Sequence, residues 1–392
     1  MKRRVFLQVV NALSPVGGAE TAAVSLAIRA SGDWEPHVLC LRDASSDALS
    51  PLEEALAAAE IPVHRIAMNG LRDVASGFSL AALLRRIGAV AVNAHNRPSD
   101  GWLMFWSAAM GIPVRIYTRQ LTYPDVTPSM RRRYRLAARM AHRVVAISSA
   151  VAGHLVRLEG TPEEKIVVIP NGVDTARFDT SSSAARARGA ALRAAWGIPP
   201  DVPVVGALCR LSDQKGLDIF LEVAARILAV EPRTRFAVVG EGEARTALES
   251  HARTIGITKS VVFPGFHDPA AALAAFDIYL TTARYEGIQL TLLEAMSSRL
   301  PVVTPRIGPF PEVVEDGVTG LLPTPTVWVP IAEQLDPEPF AVAVIRLLRD
   351  PSLRASLGEA GRKRVEEAFS LDTMVSRYEA LYQRILARGS AP

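Results

Sequence analysis

Short apolar runs, each closed by a turn-forming residue, alternate along this chain with longer stretches whose apolar positions recur at three- and four-residue intervals. The first pattern is that of a strand buried on both faces, the second that of a helix with one buried face. In the first half, Val5–Val10, His37–Leu41, Val63–Ile66, Val90–Ala94, Val114–Tyr117 and Val144–Ile147 are predicted as strands. Helices are expected between them near Glu20–Ala30, Leu52–Ala59, Leu80–Arg86, Gly101–Ala109 and Met130–Ala141. The second half repeats the scheme, with strands at Val204–Leu208, Phe236–Val239, Val261–Phe266, Phe276–Leu280 and Val302–Val303. Helices over Leu217–Leu228, Ala341–Leu348, Ser352–Phe369 and Leu371–Ala387 complete it. Such alternation builds parallel, doubly wound sheets. A chain of 392 residues exceeds one ordinary core, so two domains are expected. Thr180–Trp196, rich in Ser, Ala and Arg, reads as a linker with a short helix, and the Pro-rich Leu322–Pro339 as a surface loop.

Composition narrows the class. Apolar residues make up 49% of the chain and charged residues 21%, the balance of an ordinary globular protein. The two cysteines, Cys40 and Cys209, stand far apart without a CxxC partner, which argues against a disulfide framework or a zinc site. Lys2, Arg3 and Arg4 precede only a short apolar run, a first strand rather than a signal peptide. No apolar run reaches membrane-spanning length, so a cytoplasmic enzyme is expected. The net charge of +4 is uneven: eight arginines lie between Arg115 and Arg143, against the single acid Asp125. Such a block attracts nucleic acid, anionic lipid or an anionic acceptor, or is simply a solvated helix face. No nucleic-acid-binding signature accompanies it.

The candidate chemistry gathers in Arg284–Val303. Glu286 and Glu294 are separated by seven residues, and Ile288, Leu292, Leu293 and Met296 fall at helical spacing until Pro301 stops the pattern. Gly287 eases the backbone after the first carboxylate. The N–H groups of Ile288, Gln289 and Leu290 are expected to leave the helix N-terminus free, a natural anion cradle. Carboxylates on either side of such a cradle suit a diphosphate carrying hydroxyls at both ends, as in a nucleotide sugar. An ordinary helix with a solvated glutamate is the plainer alternative. Arg210 and Lys215, five apart in a strand-to-helix loop, offer a fork and a point charge to the same diphosphate. In the first half, Gly17 and Gly18 follow the first strand, where backbone can approach a ligand closely. His95 ends the strand AVNAH, where doubly wound sheets place their ligands.

Taken together these segments resemble the retaining glycosyltransferases of family 4. Ten positions from Glu286 to Val303 match that family's Glu-x7-Glu signature, roughly EGFPxxLLEAMAxGxPVV. Gly17-Gly18 resemble its GGxE loop, IPNGVD before Thr175 its interdomain crossing, and CRLSDQKG its GRLxxxKG motif. VVFPGF, which contains Gly265 and Phe266, resembles the loop that holds the nucleotide base. RIGPFPE resembles the later GGxPE loop. The resemblance implies the GT-B fold, two Rossmann-like doubly wound domains facing a central cleft, over residues 1–175 and 176–369. A helix over 370–392 would cross back to the N-terminal domain. It implies catalytic roles for His95 and Glu286, the latter at the donor sugar. Donor binding would fall to Gly17, Gly18, Arg210, Lys215, Gly265, Phe266, Gly287, Ile288, Gln289 and Leu290, with Glu294 at the ribose. No metal or other cofactor is expected, and no Asp-x-Asp motif is present. The donor would be a nucleotide-diphosphate sugar. The acceptor, unknown in identity, would be lipid-linked or part of a glycoconjugate, met at the inner face of a membrane through Arg131–Arg143. Cys209, Gln289 and Arg299 stand where the family prefers Gly, Pro and Gly, which leaves a non-catalytic nucleotide-sugar binder of the same fold as the rival reading.

Overall fold

Each predicted strand of the first half forms, and a further one joins them. The computed structural model describes residues 3–13, 17–42, 49–68, 70, 73–95, 99–121, 126–323 and 335–389. The chain divides into two compact units, Met1–Gly172 with Leu371–Pro392, and Val173–Ser370.

The first unit runs β1 (Arg4–Val10), α1 (Gly18–Ile28), β2 (Trp34–Cys40), α2 (Pro51–Ala58), β3 (Val63–Arg65), α3 (Val74–Ile87) and β4 (Ala89–Ala94). It continues with α4 (Ser99–Ala109), β5 (Val114–Arg119), α5 (Pro128–Met140), β6 (Arg143–Ala146), α6 (Ser149–His154), a π-helical turn (Leu155–Glu159) and β7 (Ile166–Val168). The strands form one parallel sheet in the order β3-β2-β1-β4-β5-β6-β7. The order reverses between β1 and β4, so the loops after these two strands open at a switch point where ligands bind in such sheets. Gly17 lies in one loop and His95 directly follows the other strand. The crossovers to either side run in opposite directions along the sheet. Right-handed connection therefore puts α1 and α2 on one face and α3, α4 and α5 on the other.

Strand β7 is the addition: Ile166–Val168, just before the IPNGVD segment, pairs with β6 and closes the sheet edge. Two members of the arginine block also leave the surface. Arg119 is 2% exposed, bonded to Asp100 (2.6 Å) and Glu159 (2.9 Å), and Arg115 donates to the carbonyls of Ile112 and Met140. His142 lies beyond the end of α5. It sits at the entry of β6, where its Nδ1 accepts from the Arg115 N–H (3.1 Å), and burial pulls its pKa down to about 4. Asp125 and the prolines within 324–334 lie outside the described residues.

The second unit runs α7 (Ser183–Ala195), β8 (Val204–Leu208), α8 (Leu217–Val230), β9 (Arg235–Val239), α9 (Arg245–Thr254), β10 (Val261–Gly265) and α10 (Pro269–Ala274). It ends with β11 (Ile278–Leu280), α11 (Leu290–Ser297), β12 (Val302–Val303), α12 (Phe310–Val313), α13 (Pro337–Arg349) and α14 (Pro351–Ala368). The expected linker is mostly α7, because Ala and Arg favour helix and Ser182 caps it through the Ala185 N–H. The parallel sheet has the order β10-β9-β8-β11-β12. Its reversal lies between β8 and β11, which brings the loop Cys209–Gly216 beside the segment Thr281–Gln289. The chain then re-enters the first unit as α15 (Leu371–Gly389). There Met374, Tyr378, Leu381, Tyr382 and Ile385 pack on Phe6, Trp34, Val114, Ile116 and Val145.

Candidate functional site

In the second unit, the loop after β8 is stapled to the segment after β11. Gly216 takes φ +59°, and any Cβ there would strike the Thr282 carbonyl, so the loop lies flush against the end of β11. The Thr282 hydroxyl donates to the Gly216 carbonyl (2.8 Å). Arg284 donates to both oxygens of Asp218 (2.9 and 2.7 Å), while its N–H reaches the Gln214 carbonyl (2.9 Å). This clamp delivers Lys215 to Glu286, and the two form an ion pair in which Glu286 is 7% exposed. Burial alone would lower the Lys215 pKa, but the facing carboxylate outweighs it and holds the ammonium charged. Gln214 braces the loop further, donating to the Tyr285 carbonyl (3.0 Å).

Helix α11 begins later than the spacing predicts. Gln289 is its N-cap and Leu290 its first residue, so the anion cradle opens at Leu290 and Thr291 rather than at Ile288. Ile288 is instead a buried apolar anchor at 6% exposure, and Gly287 is buried beside Glu286. Glu294 thus stands little more than one turn into the helix. Its Oε2 is enclosed without a hydrogen-bond partner, and burial pushes its carboxyl up to about 7, with Asp268 adding and Arg177 opposing. The Gln289 Oε1 is likewise enclosed and unpartnered, while its amide donates to the Tyr279 hydroxyl (3.2 Å). Tyr279 also meets the Thr291 hydroxyl at 2.9 Å. Cys209 borders the same cluster, its thiol pushed up to about 12 by burial and kept from the thiolate state. Tyr279, Gln214, Thr282 and Gly216 carry the geometry of this site; Gln214 and Gly216 flank Lys215 in sequence, but only the sheet order brings them to Tyr279, Thr282 and Glu286.

Arg210 and Lys215 are held by different acids. Arg210 points outward to Glu243 (3.1 Å), with both side chains more than half exposed. Gly265 ends β10 at φ +85°, accepting from the Gly240 N–H (2.9 Å), and Phe266 follows it 58% exposed. Among the described residues, no three His, Cys, Asp or Glu side chains cluster as metal ligands would. Arg299, at the family's glycine position, takes φ +58°, which explains that preference. Ion pairs to Asp179 and Glu359 (2.9 Å) hold it there.

In the first unit, His95 is 3% exposed and its Nε2 lies 2.5 Å from Gln8 Oε1 and 2.9 Å from Asn93 Nδ2. Its Nδ1 is 3.3 Å from Gln120, itself fixed by Asn171 (2.8 Å). Thr118 links Asn93 to Tyr378 of α15, at 3.0 Å to each. Burial pulls the imidazole down to about 3, so it is neutral at neutral pH. Gly17 is the N-cap of α1 and Gly18 its first residue. A Cβ at Gly17 would collide with the Glu20 carboxylate.

Residues 16–177 match the family described as Glycosyltransferase Family 4, and residues 202–350 match Glycosyl transferases group 1. The MMP alpha-(1->4)-mannosyltransferase of Mycolicibacterium hassiacum is 31% identical over 258 residues, 65% of this chain and 57% of that protein. A GDP-mannose-dependent monoacylated alpha-(1-6)-phosphatidylinositol monomannoside mannosyltransferase of Corynebacterium glutamicum is 30% identical, over 55% of each. The chain therefore spans little more than half the length of these curated relatives. The crystal structure of Anabaena HepE with UDP superposes with a TM-score of 0.80 at 21% identity, covering 98% of this chain and all of the other.

Proposed function

From the premise that this chain belongs to the GT-B glycosyltransferases of family 4, we propose that it moves a sugar from a nucleotide-diphosphate donor to an acceptor hydroxyl. One observation carries the reading. The Lys215–Glu286 ion pair lies just ahead of the α11 N-cap Gln289, and one side-chain oxygen each of Gln289 and Glu294 is enclosed but unpartnered. Buried acceptors without donors suit a hydroxyl-rich ligand. A diphosphate at the helix N-terminus would meet the Leu290 and Thr291 N–H groups, with Lys215 and a reoriented Arg210 as counter-charges. These groups would neutralise the leaving diphosphate as its charge develops, in the way a metal would elsewhere. Glu286 would hold the donor sugar and Glu294 the ribose.

The reaction retains anomeric configuration in this proposal. The acceptor oxygen bonds to the anomeric carbon on the face from which the phosphate oxygen departs, and the acceptor proton passes to that departing oxygen. His95, neutral and pinned by Gln8, Asn93 and Gln120, would orient the sugar by hydrogen bonding. The acceptor would be lipid-linked or a glycoconjugate precursor met at an anionic membrane surface through the arginines of α5. The Corynebacterium relative's lipid substrate supports that choice. No described helix is long and apolar enough to cross a membrane.

A panel of nucleotide sugars, screened for thermal stabilisation and then for nucleoside-diphosphate release with and without a chelator, tests the reading. We expect one donor to stabilise the protein and to turn over with acceptor in the chelator's presence. Absence of any stabilising donor overturns the function, and activity abolished by chelator overturns metal independence. An inverted product overturns retention.

A further inference from the structure

In the first unit, α3, α4 and α5 lie side by side on one face of the sheet, and α4 packs against both neighbours. Their outer surface is apolar over one part and strongly basic over another. On α3, Val74 and Phe78 are 58% and 65% exposed. On α4, Phe105 is 55% exposed, and on α5, Leu136 is 56% exposed. The aromatics are joined rather than scattered. The Trp106 ring lies 5.4 Å from Phe78 and 5.6 Å from Phe105. Gly77 permits this, since any Cβ there would strike the indole, which therefore rests directly on α3. The outcome is an aromatic ridge across two helices. Beside it, α5 exposes Arg131, Arg132, Arg133, Arg135 and Arg139 around Leu136.

We propose that this face docks onto a bilayer containing anionic phospholipid, with Phe78, Trp106 and Phe105 entering the headgroup–acyl boundary while the α5 arginines meet the phosphates. Aromatic side chains left this exposed and contiguous mark a surface that something covers. Charge complementarity selects the occupant. A second copy joined about a two-fold axis would set arginines against arginines, whereas an anionic bilayer offers both apolar depth and opposite charge. The inference rests on the membrane reading of α5 given above and extends it to two further helices.

The test is flotation of the full chain with phosphatidylcholine vesicles that contain or lack phosphatidylglycerol, at low and high salt. We expect flotation with the anionic vesicles at low salt. Lipids brominated near the headgroup end should quench tryptophan fluorescence in the wild type and much less in Trp106→Phe. Combined Phe78→Ser and Phe105→Ser should cut partition at least tenfold while leaving the melting curve unchanged, because both side chains are exposed. Combined Arg132→Glu, Arg135→Glu and Arg139→Glu should cut it about a hundredfold or more, at about fivefold per charge. The proposal is overturned if the wild type ignores anionic vesicles, or if the double serine variant floats as well as wild type. A reversible dimer abolished by the serine changes, without vesicle binding, would assign the face to a second copy and also overturn it. Calorimetry with nucleoside diphosphate on the same proteins separates the readings. Flotation without nucleotide binding would defeat the transferase proposal alone, and nucleotide binding without flotation would defeat this one alone.

Discussion

Glu294→Gln should stabilise the unliganded protein, and only above mildly acidic pH. The unfolded Glu294 carboxyl ionises near 4.5, the native one not until about 7, because its surroundings desolvate the charge. Between those values the unfolded chain has released a proton that the native chain still holds, so rising pH favours unfolding. The native state is thus fully stabilised below about 4.5, and the loss is complete above about 7. The shift corresponds to about 3 kcal/mol, and partial exposure of the residue to solvent reduces this to about 1–3 kcal/mol. Glutamine keeps the shape and never ionises. Thermal melts of wild type and variant at matched pH measure the gap, at about 2–4 °C per kcal/mol for a unit of this size. The two should melt together near pH 4.5 and diverge until pH 7, with the variant higher and the gap constant beyond. A nucleoside diphosphate should narrow the gap at pH 8, because ribose hydroxyls would give the carboxylate the donors it lacks. A pH-independent gap would show that the carboxylate is well solvated, and a wild type that gains on the variant as pH rises would show that it is already hydrogen-bonded or paired; either result refutes the reasoning.

Three further outcomes follow from the same geometry. Lys215→Ala should destabilise the fold by about 3 kcal/mol by leaving buried Glu286 unpaired, whereas Arg210→Ala leaves the melting temperature alone. Each should weaken nucleoside-diphosphate affinity by roughly tenfold to a hundredfold in calorimetry. In steady-state kinetics, Glu286→Gln should remove most of kcat, and Glu294→Gln should chiefly raise the donor KM; equal effects would erase the separate roles. His95, held neutral by burial, should make the wild type lose stability as pH falls from about 6.5 toward 3, by at most about 1.4 kcal/mol per pH unit. His95→Asn should flatten that limb in denaturant titrations.

Much of the fold was legible because parallel strands buried on both faces leave unbroken apolar runs, as in β1 and β8, where burial matches the pattern closely. The Glu-x7-Glu segment was legible because its motif is dense and local. The pairing of Lys215 with Glu286 was not, because the partners are 71 residues apart and meet only through the strand order β8-β11. The onset of α11 was misplaced because Ile288 obeys helical spacing while serving as a loop anchor before the cap. Arg119 read as one more basic residue, since its carboxylate partners Asp100 and Glu159 lie on elements that only the sheet brings together. The left-handed turn at Arg299 showed only in the family's preference for glycine there, since this chain lacks the residue that usually announces it.

The path of α15 also sets an order of birth. Because Leu371–Gly389 completes a unit begun at the first strand, the ribosome makes all of Val173–Ser370 between the two parts of one core. At ordinary elongation rates that interval lasts roughly 10–40 s. Throughout it Phe6, Trp34 and Ile116 lack the helix that later covers them, and Gln8 and Thr118 lack their tyrosine partners. The contiguous second unit can therefore finish while the first still shows an apolar sheet face to chaperones. The side chains that steady the network around His95 leave the ribosome only after the whole of Val173–Ser370.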